Sequence, residues 1–161
     1  MKCSPLKRTT PLKKKKGFKS IRHDFLDDLF SEFIRKQAIV RVGGCEYCLR
    51  PKYDILKENV DILPDWKQLQ CAHFDGRSNK AVRWDIQNAA GMCPPCHASF
   101  DAHPFEKIEW VKQHLGEDEF NMLQSRLRNI YPKPDKKAIE LYLKTKIKEL
   151  ETIDGNKPIG D

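Results

Sequence analysis

Cys45 and Cys48 in "GGCEYCLR", and Cys93 and Cys96 in "GMCPPCHASFD", form two C-x2-C pairs separated by 44 residues. Thiolates at this spacing project from tight turns, and two such turns can close a tetrahedron around zinc with Zn–S bonds of about 2.3 Å. Four thiolates leave no open coordination position, so an ion held there would be structural. The competing readings are redox cysteines and unrelated buried thiols. A thioredoxin-like motif needs one pair inside a βαβ pattern, and no such pattern surrounds either pair. Of the other two cysteines, Cys71 reads as a small buried side chain and Cys3 has no assignable role.

A histidine, His97, follows the second pair directly, and Asp101 comes four residues later. Residues i and i+4 share a helix face, so Asp101 could reach an ion held by His97. His103 is the weaker candidate, because six positions along a continuous helix point elsewhere. Between the pairs lie His73 in "CAHF" and Asn88 in "QNAAGM". A neutral imidazole suits the removal of a proton from water, since its ordinary pKa is about 6.5. Each residue also has an ordinary reading: His73 as a packed side chain, Asn88 as a turn residue, His97 as a hydrogen-bond partner of a zinc-bound thiolate, Asp101 as a solvated carboxylate.

Taken together, Asn88-x4-Cys93-x2-Cys96-His97, preceded by an "AHF" strand, resembles the HNH (ββα-metal) nucleases. The likeness runs from about Cys45 to His103. It implies that His73 is the general base, that Asn88 braces the loop carrying that base, and that His97 binds a catalytic divalent ion; Asp101, from its helix position, is the candidate second ligand. Mg2+ or Mn2+ would suit so few protein ligands, because a hard ion keeps several waters; Zn2+ would belong to the cysteines. The wider run "CAHFDGRSNKAVRWDIQNAAGMCPPCHASF", with "EWVKQHLGEDEFNMLQSRL" and a "PLKRTTPLKKK" start, is similar to phage NinG-like recombination nucleases. That likeness implies a phage-encoded DNA endonuclease acting on recombination or branched DNA, located in the host cytoplasm. One departure is Ala72, which stands where many HNH proteins place a second metal ligand. It supports the alternative of a catalytically inactive HNH-fold zinc protein that binds DNA as a recombination accessory factor. A zinc-stabilised protein-interaction module is a third class.

The elements that must position these residues are legible in part. Phe25, Leu29 and Phe33, with Leu26, Phe30 and Ile34, recur at helical spacing and predict a helix over 21–38. "LQCAHF" predicts a short strand, and "VRWDIQNAAGM" a second one beginning near Val82. The chain from Tyr53 to Gln68 reads as mostly loop. Pro94 and Pro95 fit the first turn of a helix starting near Cys96, with Pro104 ending or restarting it. "PFEKIEWVKQHLG", "EDEFNMLQSRLRN" and "KPDKKAIELYLKTKIKELE" predict three more helices, with Gly116 as a C-cap and Asp135 as an N-cap. Trp84 reads as core. The expected fold is α+β and mostly helical: a small ββα-metal (HNH) core with a four-cysteine structural zinc site, flanked by an N-terminal helix and C-terminal helices. Its parts are a basic arm over 1–20, one domain over 21–155 (helix 21–38, zinc/HNH core 43–103, helical extension 104–152) and a tail over 153–161.

Charge divides the chain unevenly. Of a formal +7, residues 1–22 supply nine Lys or Arg and no acid, leaving 21 basic against 23 acidic side chains in the remainder. Such an arm cannot bury apolar surface and should be disordered alone. Lys13, Lys14, Lys15 and Lys16 read as phosphate contacts, or as a solubilising tail. Arg77, Lys80 and Arg83, between the base and the brace, are further candidate DNA contacts. The Lys-rich last helix is diluted by glutamates and reads better as a solvated face. The sequence has no apolar run of transmembrane length and no h-region after its basic start. Six cysteines without a signal point to a reducing compartment. DNA, duplex or branched, is the expected partner and no membrane is; cutting two strands would suit a homodimer, but no residue pattern identifies a dimer surface.

Overall fold

The computed structural model describes residues 23–49, 65–128 and 134–155. Among them are five helices and a two-stranded antiparallel sheet, an α+β fold that is mostly helical. The arm with Lys13 to Lys16, Cys3, and most of the loop expected over 53–68 lie outside the described residues. Of that loop, Asp65–Gln68 forms a 3-10 turn.

Helix α1 (Phe25–Val42) starts at a capping box. The Asp24 carboxylate accepts the Leu26 N–H, and the Asp27 carboxylate accepts the Asp24 N–H at 3.0 Å. These bonds satisfy backbone donors that the first turn leaves without partners. The helix runs four residues past the expected end and stops at Gly43, whose φ of 68° is the left-handed conformation that glycine adopts without a Cβ clash. Leu26, Phe30, Phe33, Ile34 and Ala38 form its buried face. Each large member contributes on the order of 1.5–3 kcal/mol by leaving water. Phe25, expected on that face, is 53% exposed, because the stripe follows Leu26 and its neighbours one position round the helix.

Strand β1 (Gln70–His73) pairs with β2 (Ala89–Met92) in the register Gln70↔Met92 to His73↔Ala89. β2 begins seven residues later than expected from Val82. The Asp85 carboxylate captures the Gln87 N–H at 2.9 Å and winds Ile86–Asn88 into a 3-10 turn, so this backbone is unavailable to a ladder. All four residues of β2 are buried. A Cβ added at Gly91 would lie 2.4 Å from the Ala38 Cβ; the glycine is what lets the strand press against α1.

Helix α2 (Pro94–Ala102) starts two residues before the expected Cys96. Both prolines sit in the first turn, where a missing N–H costs nothing. Pro104 begins α3 (Pro104–Leu115), which is capped at Gly116, and α4 (Glu117–Arg128) follows at once. Asp135 caps α5 (Lys136–Gly155) by accepting the N–H groups of Lys137 and Ala138. Leu143 and Ile147 of α5 pack on Phe30, Phe33 and Ile34 of α1. A second cluster joins Ala38 and Leu69 to Ala72, Met92, Phe100 and Val111. Thus α1 spans both clusters and backs the sheet. No helix among the described residues is long and apolar enough to cross a membrane.

Candidate active site and metal centre

The two cysteine pairs converge. One sulfur from each of Cys45, Cys48, Cys93 and Cys96 lies within 4.8 Å of the others. Cys48 and Cys93 are 4.0 Å apart, close to the edge of about 3.8 Å that a tetrahedron with 2.3 Å bonds would have. The turn carrying the first pair is closed by a bond from the Leu49 N–H to the Cys45 carbonyl, with Leu49 at a positive φ of 53°. The Glu46 N–H donates to the Gly91 carbonyl, and the Glu46 carboxylate accepts the Gly91 N–H at 2.7 Å, so this turn is stitched to β2 beside the second pair. The Cys93 N–H also points at the Cys45 sulfur, at 3.3 Å. Burial, then the neighbouring sulfurs, push the Cys96 thiol up; a cation would reverse that by favouring thiolates. The four cysteines therefore lie close enough to hold a metal ion, with the donor set that zinc prefers.

His73 ends β1, and the loop beyond it is locked by Asn88. The fully buried Asn88 side chain accepts the Asp75 N–H at 2.8 Å and donates to the carbonyls of Asp75 (3.0 Å) and Val82 (2.9 Å). Its own carbonyl accepts the Phe74 N–H at 2.8 Å. Four bonds thus hold both ends of the 74–88 loop against one residue. The His73 ring packs on Phe30 with centroids 5.6 Å apart. Burial lowers its pKa below the ordinary 6.5, opposed in part by a hydrogen bond to the Arg83 backbone. A backbone partner that raises a histidine pKa must be the carbonyl accepting a ring N–H. The other ring nitrogen then keeps its lone pair.

His73, His97, Asp101 and Lys107 line one cleft of about 500 Å3, together with Arg35 and Arg77. His97 and Asp101 meet on one face of α2, with Nε2 and Oδ2 3.4 Å apart, near enough for one ion to touch both. The far side of the His97 ring is engaged as well: Nδ1 lies 2.8 Å from the Gln70 Oε1 on β1. An amide oxygen can only accept, so Nδ1 carries a proton, and in the neutral ring the lone pair is then on Nε2, the nitrogen that faces Asp101. Lys107 of α3 is bonded to Asp101 Oδ1 and to the His73 carbonyl, both at 3.0 Å. His103 turns back to the Ser99 carbonyl at 2.8 Å and does not line this cleft. Cys71 does line it, and burial pushes its thiol up to about 12.

Compared with protein-family models, with curated proteins and with solved structures, the chain gives no significant match. The functional reading therefore rests on this geometry and on the sequence resemblance.

Two residues expected to touch DNA, Arg83 and Lys80, do not line the cleft. Arg83 is buried and grips Asp27 with Nε and Nη2 at 2.9 and 2.5 Å, while the Trp84 indole N–H reaches Asp27 Oδ1 at 2.9 Å. Burial would raise the Asp27 carboxyl, but these donors hold it down to about 2. A guanidinium that is 8% exposed and holds a buried carboxylate has a structural role. Arg83 pins the carbonyl that receives His73 to the first turn of α1. Trp84, expected in the core, is half-buried and packs against the cluster of Phe30, Phe33 and Leu143. Lys80 is exposed but lines a separate groove with Phe25, Trp84 and Lys136. Arg77 is exposed and does face the cleft. Ala72 is sealed in the core cluster, so its position faces packing rather than the cleft.

Sequence reasoning missed Gln70, Lys107 and Arg35. Lys107 lies across a helix break from Asp101, and Gln70 is 27 residues from His97. No local periodicity could have flagged either.

Proposed function

We propose that the protein is a metal-dependent DNA endonuclease of the HNH type, hydrolysing phosphodiester bonds. The observation that carries this reading is the His73 ring in one cleft with His97 and Asp101, its loop locked by Asn88. His73 donates one ring N–H to the Arg83 carbonyl and uses its other nitrogen to take a proton from a water aligned behind phosphorus. His97 Nε2 and Asp101 would hold Mg2+ or Mn2+, which supplies neutralisation of the phosphate and of the departing 3′ oxygen. Gln70 orients His97, and Lys107 orients Asp101. The resemblance to HNH nucleases implies products with a 5′ phosphate and a 3′ hydroxyl. Zinc at the four cysteines ties the start of α2 to the Cys45–Cys48 turn, so the residue next to Cys96 inherits a rigid position. The basic arm would add sequence-independent affinity for the DNA backbone. Phage origin and branched recombination substrates rest on the sequence resemblance alone.

One observation favours a second reading, a DNA-binding protein without catalysis. Asp101 already has a cation, Lys107, at 3.0 Å. Plasmid nicking with Mg2+ or Mn2+ separates the two. Cleavage by the wild type and none by His73→Ala, with fold and zinc content unchanged, is the expected result. Equal activity in both proteins removes His73 as the base; silence in both, on plasmid and on branched DNA, with DNA still bound, favours the binding protein.

A further inference from the structure

The ββα segment does not build the cleft by itself. Helix α1 lines it too, through Ser31 and Arg35, alongside Arg77 from the loop after β1. The Arg35 side chain is held at two points: Nε donates to the Ser31 carbonyl at 2.9 Å, and the guanidinium carbon lies 4.8 Å from the centroid of the Trp66 ring. A bond along the stem and an aromatic face fix the plane of the fork, so little rotamer freedom is left to lose on binding. Other cations near α1 are spent on carboxylates, Lys36 on Glu32 and Glu151, and Arg83 on Asp27. Among the described residues neither Arg35 nor Arg77 has a carboxylate partner.

We propose that Arg35 and Arg77 together form a phosphate-binding subsite for the backbone of the substrate strand, with α1 as one wall of the DNA path. This rests on the nuclease reading for the direction of the strand past His73, and on geometry for the subsite itself. Planar guanidinium forks match phosphate oxygens bidentately. Both charges also bear on one buried group: the Cys71 thiol lining the cleft is pushed up by burial, and Arg35 and Arg77 both pull it back. Two positive fields thus converge on the cleft from different elements, beside the cation of Lys107. The subsite selects no base, so it serves a nuclease that recognises DNA form rather than sequence.

The test is the affinity of the full chain for a short fluorescein-labelled duplex, read by anisotropy across a salt series in a His73→Ala background so that the DNA stays intact. Adding Arg35→Ala or Arg77→Ala should each weaken binding about tenfold and reduce the slope of log K against log salt by about 0.9, the loss of one phosphate contact. Arg35→Lys should restore most of the slope and less of the affinity, since charge returns without the fork. Arg77 is on an exposed loop, so its variant keeps the test decisive if Arg35→Ala perturbs the Trp66 contact. Parental slopes in both alanine variants overturn the subsite, as does absence of duplex binding by the parent. Failure of the nuclease reading gives a different result: changed slopes, with a wild type that does not cut.

Discussion

Asn88 and Asp75 form a reciprocal pair across the 74–88 loop: the Asp75 N–H donates to Asn88 Oδ1 at 2.8 Å, and Asn88 Nδ2 donates back to the Asp75 carbonyl at 3.0 Å. A side-chain amide thereby acts as an extra rung of backbone, bonding to the stretch just after His73 in the way a neighbouring strand would. With the added bond to Val82, it fixes where the loop turns and where the His73 ring can point.

Asn88→Ala should cost about 3 kcal/mol in urea unfolding, from three bonds at about 1 kcal/mol each, and should abolish nicking. Asn88→Asp should be at least as harmful at neutral pH, because it turns a donor facing two carbonyls into a buried negative oxygen. Wild-type stability in both variants would refute the brace.

Purified protein should carry about one equivalent of zinc per chain, lost on replacing any one of Cys45, Cys48, Cys93 or Cys96 by serine. Tyr47 of the Cys45–Cys48 turn meets Phe100 of α2 edge-on at 5.8 Å, and the ion would add a covalent-like tie to that contact, so chelation should lower the melting temperature. Atomic emission for metal content and a thermal melt with and without chelator decide it.

Gln70→Leu should weaken Mn2+ binding about 10- to 100-fold, as is usual when the partner that orients a ligating histidine is lost. Zinc content and melting temperature should stay near wild type, since Gln70 is exposed at the strand start. Calorimetric titration with Mn2+ reads the effect without reference to cleavage; an unchanged affinity would show that His97 needs no such partner.

The pH dependence has a defined sign. Burial lowers the folded His73 pKa, so the cleavage rate should fall on acidification at a lower pH than an exposed histidine base would give. His114, stacked on Trp110 at 4.4 Å, is lowered to about 4 by burial and by the Arg41 charge. The unfolded chain takes up that proton near pH 6.5 while the folded chain does not. Stability from His114 is therefore present above pH 6.5 and lost as pH falls towards 4. Glu46, held above 4.5 by burial, works in the opposite direction, so the comparison is wild type against His114→Phe. The variant should gain relative stability between pH 6.5 and pH 4; a constant difference in urea unfolding across that window would exclude the histidine.

Short-range patterns carried much of the architecture. Helical stripes, the Asp135 cap, the Gly116 stop, the prolines opening α2 and α3, and the two C-x2-C turns depend on residues within a few positions of one another. Backbone geometry converts such spacing directly into a face, a cap or a turn. The i, i+4 meeting of His97 and Asp101 is of the same kind.

The identity of each charged side chain's partner depended instead on how the elements pack. Arg83 and Lys80 look alike in "DGRSNKAVRW", yet one closes on Asp27, 56 residues away, and the other faces solvent. Arg35 reads as the basic end of a helix and proves to line the cleft; Gln70 and Lys107 carry no local signal at all. Val82 has a strand former's side chain, but Asn88 and Asp85 claim the backbone around it. Helix and strand periods are set by bonds along the chain. A buried ion pair or a cleft is set by which remote faces exclude water together, and that is settled only when α1, the sheet and α3 come into contact.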